Sequence, residues 1–455
     1  MLYGINPDFH TWTSRHTLLT DAIKRGRRFE VFNAQGQPTG EFAQLDSDGW
    51  PIGDDWHGVR IFGGMKGTVP TKLHTDSLVE IKGRGVTKVG GGLFEVDPVE
   101  NGNGTIVAMW KDKLKPSVRI DGEQQLPITR YGIDSIRQFR PAALRTLNWT
   151  QANQIHRGDR VRLEDPLWGS LKGMPIEIQI MVANLCNASL FFNVPARLDR
   201  PEAEYRDYVR DIFVQMRDHC KHPPVLEYSN ETWNADFPVH VFARQDQTPE
   251  RHWTKVIADE IKLLWEVASK VFGAPTMFRK PYFTFVGGFI QDPSILEKII
   301  RELPEPPDFA GPACYIGPDR ESVNTWNDQD YEPTQEEIQA ACQTRLVQAA
   351  EKLYITKRLL TGLGVKHMVC YEAGQSMIAG FREKLRRAYQ QSQREEWMGD
   401  LYRQMKGTMA ANGVSAAMWF SLMGDQTPPA PVDPFGLLEG HGLPLLPKAQ
   451  AVLER

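Results

Sequence analysis

The chain has no apolar run of transmembrane length, which takes about 18 to 20 consecutive residues. Its opening, Met1-Leu2-Tyr3-Gly4-Ile5-Asn6, lacks a basic stretch followed by an apolar core, so no secretory leader is visible. The settings left open are cytosolic, virion-associated, or secreted and trimmed of a leader. Positive charge is not in excess. The formal net charge is −4 and the pI about 6.3, which argues against nucleic acid or an anionic membrane as the main partner. Cysteine is scarce, odd in number and irregularly spaced: Cys186, Cys220, Cys314, Cys342 and Cys370. Free thiols are expected rather than a disulfide framework. Internal repeats and low-complexity segments are also missing, which excludes a solenoid.

What is there is an ordinary globular composition, 41% hydrophobic and 24% charged over 455 residues. That length fits one large barrel with insertions, or two to three domains. From about residue 130 onward, short apolar strands alternate with longer helical patterns, the rhythm of βα units and a parallel sheet. Strands are expected at Tyr3–Asn6, Leu144–Trp149, Leu190–Val194, Val225–Asn230, Pro281–Val286, Phe309–Tyr315, Lys366–Tyr371 and Val414–Phe420. Helices are expected at 174–187, 201–219, 254–272, 293–302, 334–362, 380–412 and 447–454. The clearest is 201–219, where Tyr205, Tyr208, Val209, Ile212, Phe213 and Met216 recur at spacings of three and four. Eight such strands give a (β/α)8 TIM barrel, with its active site at the C-terminal strand ends.

Residues 30–130 break the rhythm with many glycines and β-rich runs such as Leu78–Ile81 and Thr105–Met109. We read them as a β-rich subdomain inserted between the first and second βα units, leaving 1–29 and 131–455 as the barrel. Asn101-Gly102-Asn103-Gly104 is a hairpin-turn signal. The Pro-rich stretches Leu303–Pro312 and Gln426–Pro434 read as surface connections.

Two blocks carry chemistry. One is Glu227-Tyr228-Ser229-Asn230-Glu231-Thr232-Trp233-Asn234; the other is Val369-Cys370-Tyr371-Glu372-Ala373-Gly374. A strand-end glutamate is most often simply solvated. Glu231, however, sits among aromatics and amides, and Glu372 follows an apolar strand on the same face of the expected barrel. Two carboxylates across one cleft are what glycosidic-bond hydrolysis needs: one protonates the leaving oxygen, the other attacks or activates water. Strand alternation points Glu227 into the barrel, where it suits a buried partner for an arginine.

The Asn-Glu pair after strand four and the Glu after strand seven resemble the clan of retaining (β/α)8 glycoside hydrolases. The Glu-Tyr-Ser-Asn-Glu-x-Trp-Asn block is similar to that of bacterial and phage-borne cellulase-like glycosidases, and the resemblance runs from Tyr3 to Lys448. It implies Glu231 as acid/base and Glu372 as nucleophile in a double displacement on β-linked glycan, with no cofactor and no metal. It also implies that Asn230 contacts the sugar 2-hydroxyl, that Arg145 braces the nucleophile and Tyr315 donates to it, and that Trp419 forms a platform under the sugar. Trp233 and Asn193 complete the candidate substrate contacts. The pattern departs at strand three, where Phe191 and Ala196 stand in place of Trp and His. A glycan-binding virion or tail component without turnover, or a homo-oligomeric assembly protein, is the alternative.

Weaker signals have ordinary explanations. His219-Cys220-Lys221-His222 has no second cluster to complete a zinc site. Gly90-Gly91-Gly92 is not followed by a helix, as a phosphate loop would be. Asp425, after strand eight, is within reach of a substrate hydroxyl on this reading.

Overall fold

Eight parallel strands close into a barrel: β1 (Leu2–Asn6), β2 (Ala143–Arg145), β3 (Ser189–Val194), β4 (Val225–Tyr228), β5 (Phe283–Gly288), β6 (Phe309–Pro312, resumed at Cys314–Ile316), β7 (His367–Gln375) and β8 (Val414–Phe420). Each pairs with its successor, and β8 returns to β1 with Leu2 opposite Ala416 and Ile5 opposite Trp419. This computed structural model describes residues 1–7, 19–26, 28–35, 37–62, 72–75, 78–101, 104–111, 114–120, 127–153, 160–168, 173–273, 280–379, 382–424, 435–440 and 443–454. The hydrogen-bonded ring and its helices are the expected TIM barrel. Among the described residues no helix is long and apolar enough to cross a membrane. The five cysteines are free thiols.

The helices form where apolar residues fall on one face, and some of them open on a side-chain cap. Glu202–His219 buries Tyr205, Val209, Ile212, Phe213 and Met216, with Glu202 and Glu204 in its first turn and Arg217 and His219 in its last. Those charges oppose the helix dipole at each end. Gln335–Gly362 opens on a capping box between Thr334 and Glu337.

Alternation along the strands makes two apolar layers. Ala143, Phe191, Val225, Phe285, Ala313, Val369, Tyr371 and Met418 fill the barrel interior. Leu144, Leu190, Leu226, Val286, Cys370 and Trp419 face the helices.

Several expected elements differ. Leu144–Trp149 is strand only to Arg145; Leu147–Thr150 is a helical turn, held by Trp149 N donating to Thr146 O at 2.9 Å. Every residue of that turn is buried, so its apolar spacing did not distinguish a strand from a turn. Helices at Pro238–Gln245 and Arg320–Asp328 were not anticipated.

Between β1 and the helix Arg130–Arg137 lie two antiparallel sheets. One has five strands in the order Pro38–Phe42, Glu30–Phe32, Trp56–Phe62, Ile106–Trp110 and Glu80–Lys82. The other has four, in the order Val118–Ile120, Lys72–Thr75, Leu93–Val96 and Val86–Gly90. Of the expected hairpin turn Asn101–Gly104, Gly102 and Asn103 lie outside the described residues; the strands on either side of it belong to different sheets. Pro98–Asn101 is a helical turn: Asp97 Oδ1 accepts from Glu100 N at 3.0 Å, and Asn101 Nδ2 donates to Arg84 O at 2.8 Å. The hairpin glycines are Gly90-Gly91-Gly92, whose positive φ angles of 135°, 55° and 81° turn Val86–Gly90 into Leu93–Val96.

Candidate active site

Arg145, at the end of β2, is the hub of the barrel's C-terminal face. Its side chain is fully buried, and a guanidinium has five N–H donors. All five are engaged. Nε donates to Glu227 Oε2 at 2.8 Å and Nη2 to Glu227 Oε1 at 2.9 Å. Nη2 also donates to Asn230 Oδ1 at 2.7 Å. Nη1 donates to Glu372 Oε1 at 2.8 Å and to Asn6 Oδ1 at 3.2 Å. The plane lies against the Tyr371 ring, 4.8 Å from its centroid. Burial works against the charge, but Glu227 and Glu372 outweigh it and hold the Arg145 pKa above its ordinary value.

Glu227, on β4, is the buried arginine partner that strand alternation indicated. Burial pushes its carboxyl up while Arg145 pulls it back. Asn193 donates to Glu227 Oε2 at 2.8 Å and to Ser229 O at 2.9 Å. Asn193, expected to contact substrate, is completely buried in this structure. Its part is to fix Glu227 from behind.

Glu372 lies within β7, not beyond its end. Regular alternation would send Tyr371 and Glu372 to opposite faces. The pairing of β7 with β8 slips between Cys370 and Ala373. Cys370 and Ala373 both join the outer layer, Tyr371 the inner one, and Glu372 reaches Arg145 inside the barrel. A bulge of this kind re-aims a side chain. The second Glu372 oxygen accepts from the Tyr315 hydroxyl at 2.8 Å. Burial and the Glu372 charge raise the Tyr315 pKa well above that of an ordinary phenol, so it stays a donor.

Glu231 follows β4 in a turn whose backbone is left-handed at Ser229 (φ 54°) and Glu231 (φ 39°). Non-glycine residues rarely hold that conformation, and it costs about 1–3 kcal/mol at each position. The turn is pinned by Ser229 N donating to Val194 O at 2.7 Å and Asn234 N donating to Glu231 O at 2.8 Å. Asn234 Nδ2 donates to Glu231 Oε2 at 2.9 Å, and the Tyr371 hydroxyl reaches Oε1 at 3.4 Å. Burial first, and the Glu372 charge second, push the Glu231 carboxyl up to about 7. The bonds from Asn234 and Tyr371 and the Arg145 charge act in the opposite direction.

The remaining candidates divide. Asn230 is nearly buried, accepting from Arg145 and donating to Asn153 Oδ1 at 3.0 Å. Trp233 is half-buried and stacks on Phe289 with centroids 4.2 Å apart. Trp419 is not a platform. It is completely buried in the outer layer, stacked on Tyr402 of the helix Glu396–Ala411 at 5.2 Å. The aromatic of β8 beside the carboxylates is its neighbour Phe420, whose ring lies 6.3 Å from Tyr315 and 5.2 Å from Phe435. Sequence reasoning also missed Asn6, whose Nδ2 donates to Tyr371 O at 3.3 Å while its Oδ1 takes Arg145. Its place at the end of β1 was the available signal. Asp425 and the Gln426–Pro434 stretch lie outside the described residues. No group of three metal-ligating side chains occurs among the described residues, and His222 bonds to Asn187 Oδ1 at 3.0 Å.

No family model matches the chain, and no curated protein matches it in sequence. Solved structures similar to it are glycoside hydrolases. The GH51 alpha-L-arabinofuranosidase of Thermotoga petrophila RKU-1 is 13% identical with a TM-score of 0.42, over 72% of this chain and 63% of that one. This chain therefore spans less than two thirds of that protein's length. The endo-beta-1,4-mannanase of Thermotoga petrophila is 13% identical with a TM-score of 0.40, over 71% of each chain. Cel5A of Thermotoga maritima, solved with cellobiose, is 15% identical with a TM-score of 0.39, over 73% of this chain and 90% of that one. At such identities the likeness is one of fold.

Proposed function

We propose that the chain is a retaining glycoside hydrolase acting on β-linked glycans. The observation that carries the reading is a pair of glutamates in unlike surroundings. Glu231 is lifted to about 7, and Glu372 is clamped on both oxygens by Arg145 and Tyr315. A carboxyl that holds its proton facing one held by an arginine and a tyrosine hydroxyl divides acid from nucleophile.

In the first step a Glu372 oxygen attacks the anomeric carbon and the glycosidic C–O bond breaks. The Glu231 proton passes to the leaving oxygen, giving a glycosyl ester on Glu372. Esterification removes the Glu372 charge, one of the two causes that lift Glu231. Glu231, now an anion of lower pKa, takes a proton from water as the water attacks the anomeric carbon. The Glu372 carboxylate departs and the sugar leaves with its configuration retained. Asn230, next to Glu231 in sequence and bonded to the Arg145 that holds Glu372, is the residue we assign to a sugar hydroxyl. Phe420, Phe435, Trp233 and Phe289 offer apolar faces to the ring's C–H surface.

On this reading residues 1–29 and 131–455 are the catalytic barrel and 30–130 an inserted β-rich subdomain. The Glu227–Asn234 block supports a place among bacterial and phage-borne cellulase-like glycosidases. A virion component that only bound glycan would have no need of a second carboxyl kept protonated near neutral pH. The test is the stereochemistry of turnover: proton NMR of the first sugar released from a panel of aryl β-glycosides. The β anomer appearing first is expected. The α anomer first, or no release from any member, overturns the reading.

A further inference from the structure

The five-stranded sheet of residues 30–110 packs one face on a core of Val59, Ile61, Ile81, Ala108 and Trp110. Its other face should be polar, as in most antiparallel sheets with one solvated side. The strand register shows otherwise. Phe32 stands opposite Trp56 on that face, Arg60, Val107 and Lys82 align across three strands, and Glu30, Gly58, Met109 and Glu80 align across four in the adjacent row. Phe32, Val107 and Met109 form an apolar cluster separate from the core, with Trp56 against it. A Cβ at Gly58 would stand 2.9 Å from two Phe32 ring atoms, so the glycine makes room for that ring across the neighbouring strand.

Over this face lies a cavity of about 400 Å³ lined by Phe32, Pro38, Arg60, Lys82, Thr105 and Val107, among others. That is the size of a small-ligand site. Its two cations come with their counter-charges: Arg60 Nη2 is 3.1 Å from Glu30 Oε2, and Lys82 Nζ is 3.2 Å from Glu80 Oε2. Local charge is therefore balanced, which disfavours an anion. What remains is an apolar floor beside paired donors and acceptors, the combination that suits a neutral polyol with C–H faces and hydroxyls that both give and take hydrogen bonds.

We propose that this sheet face is a second saccharide-binding site, separate from the carboxylate centre, which takes a neutral glycan segment. Its identity as part of a glycosidase's substrate rests on the function proposed above; the binding itself does not.

The test uses the full chain with Glu372→Ala, so that no ligand is consumed, in affinity electrophoresis. The probes are glucomannan, xyloglucan, arabinan and galactan as neutral polymers, and polygalacturonate as the acidic one. Arg60→Gln and Lys82→Ala are added together, and Phe32→Leu separately, with circular dichroism confirming folding. Retardation by at least one neutral polymer is expected, weakened about tenfold by the double substitution. Aryl glycoside turnover by the otherwise wild-type chain is expected to be unchanged by it. No retardation by any neutral polymer, retardation unaltered in both folded variants, or preference for polygalacturonate overturns the site. Turnover lost with Glu372→Ala while retardation ignores Arg60 and Lys82 defeats this proposal alone. Retardation that depends on them, with no turnover by the chain that keeps Glu372, defeats the catalytic reading alone.

Discussion

Tyr371 and Glu372 are neighbours on one strand, yet both are used inside the barrel. The slip in pairing between Cys370 and Ala373 allows it, and it sets the Tyr371 hydroxyl 3.4 Å from Glu231 while Glu372 meets Arg145. A donor to a carboxylate favours the anion. Tyr371→Phe therefore raises the Glu231 pKa further and moves the alkaline limb of kcat/KM to higher pH. A pH–rate profile checks this; a limb moving to lower pH contradicts it.

Glu231 also predicts an inverse dependence of stability on pH. A carboxyl whose folded-state pKa lies above its unfolded value holds its proton more tightly when folded. The stability this confers is complete below the unfolded value of about 4.3 and is lost as pH rises through about 7. Glu231→Gln should therefore exceed the wild type by roughly 2–3 kcal/mol at pH 8, with little difference at pH 4. Urea unfolding at the two pH values measures it. Equal gains at both would show that Glu231 has no raised pKa.

Arg145 and Glu227 should differ in kind. Arg145→Met strands two carboxylates around a buried gap and should cost about 3–5 kcal/mol of unfolding free energy along with activity. Glu227→Gln keeps the shape but leaves the Arg145 charge less compensated. Since that charge lowers the Glu231 pKa, the alkaline limb should move to lower pH, opposite to Tyr371→Phe. The two profiles side by side are the check.

The two aromatics that end β8 should separate cleanly. Trp419→Ala opens a cavity against Tyr402 and should cost about 3–5 kcal/mol of stability. Phe420→Ala, at the half-buried corner with Tyr315 and Phe435, should raise KM with a smaller loss of stability. Thermal unfolding and steady-state kinetics on both variants decide it.

The barrel was legible because eight apolar runs alternate with amphipathic helices, and strand ends gather whatever polar residues they carry. Arg145, Glu227, Glu231 and Glu372 met as strand order said they would. What alternation could not carry was Trp419, because the residue that turns toward the site at the end of β8 is the next one. The bonds of Asn193 to Glu227 and Ser229 were not legible either, because alternation does not say which polar residue inside a barrel holds another. The role of Asn101 was hidden because its side chain ties down Arg84.

The central claim is that Glu372 forms a covalent glycosyl ester. Incubation with a panel of activated 2-deoxy-2-fluoro β-glycosides, followed by intact and peptide mass spectrometry, tests it most directly. The account predicts one adduct, on the peptide carrying Glu372. An adduct on Glu231, or none with a glycoside that the enzyme turns over, would contradict it.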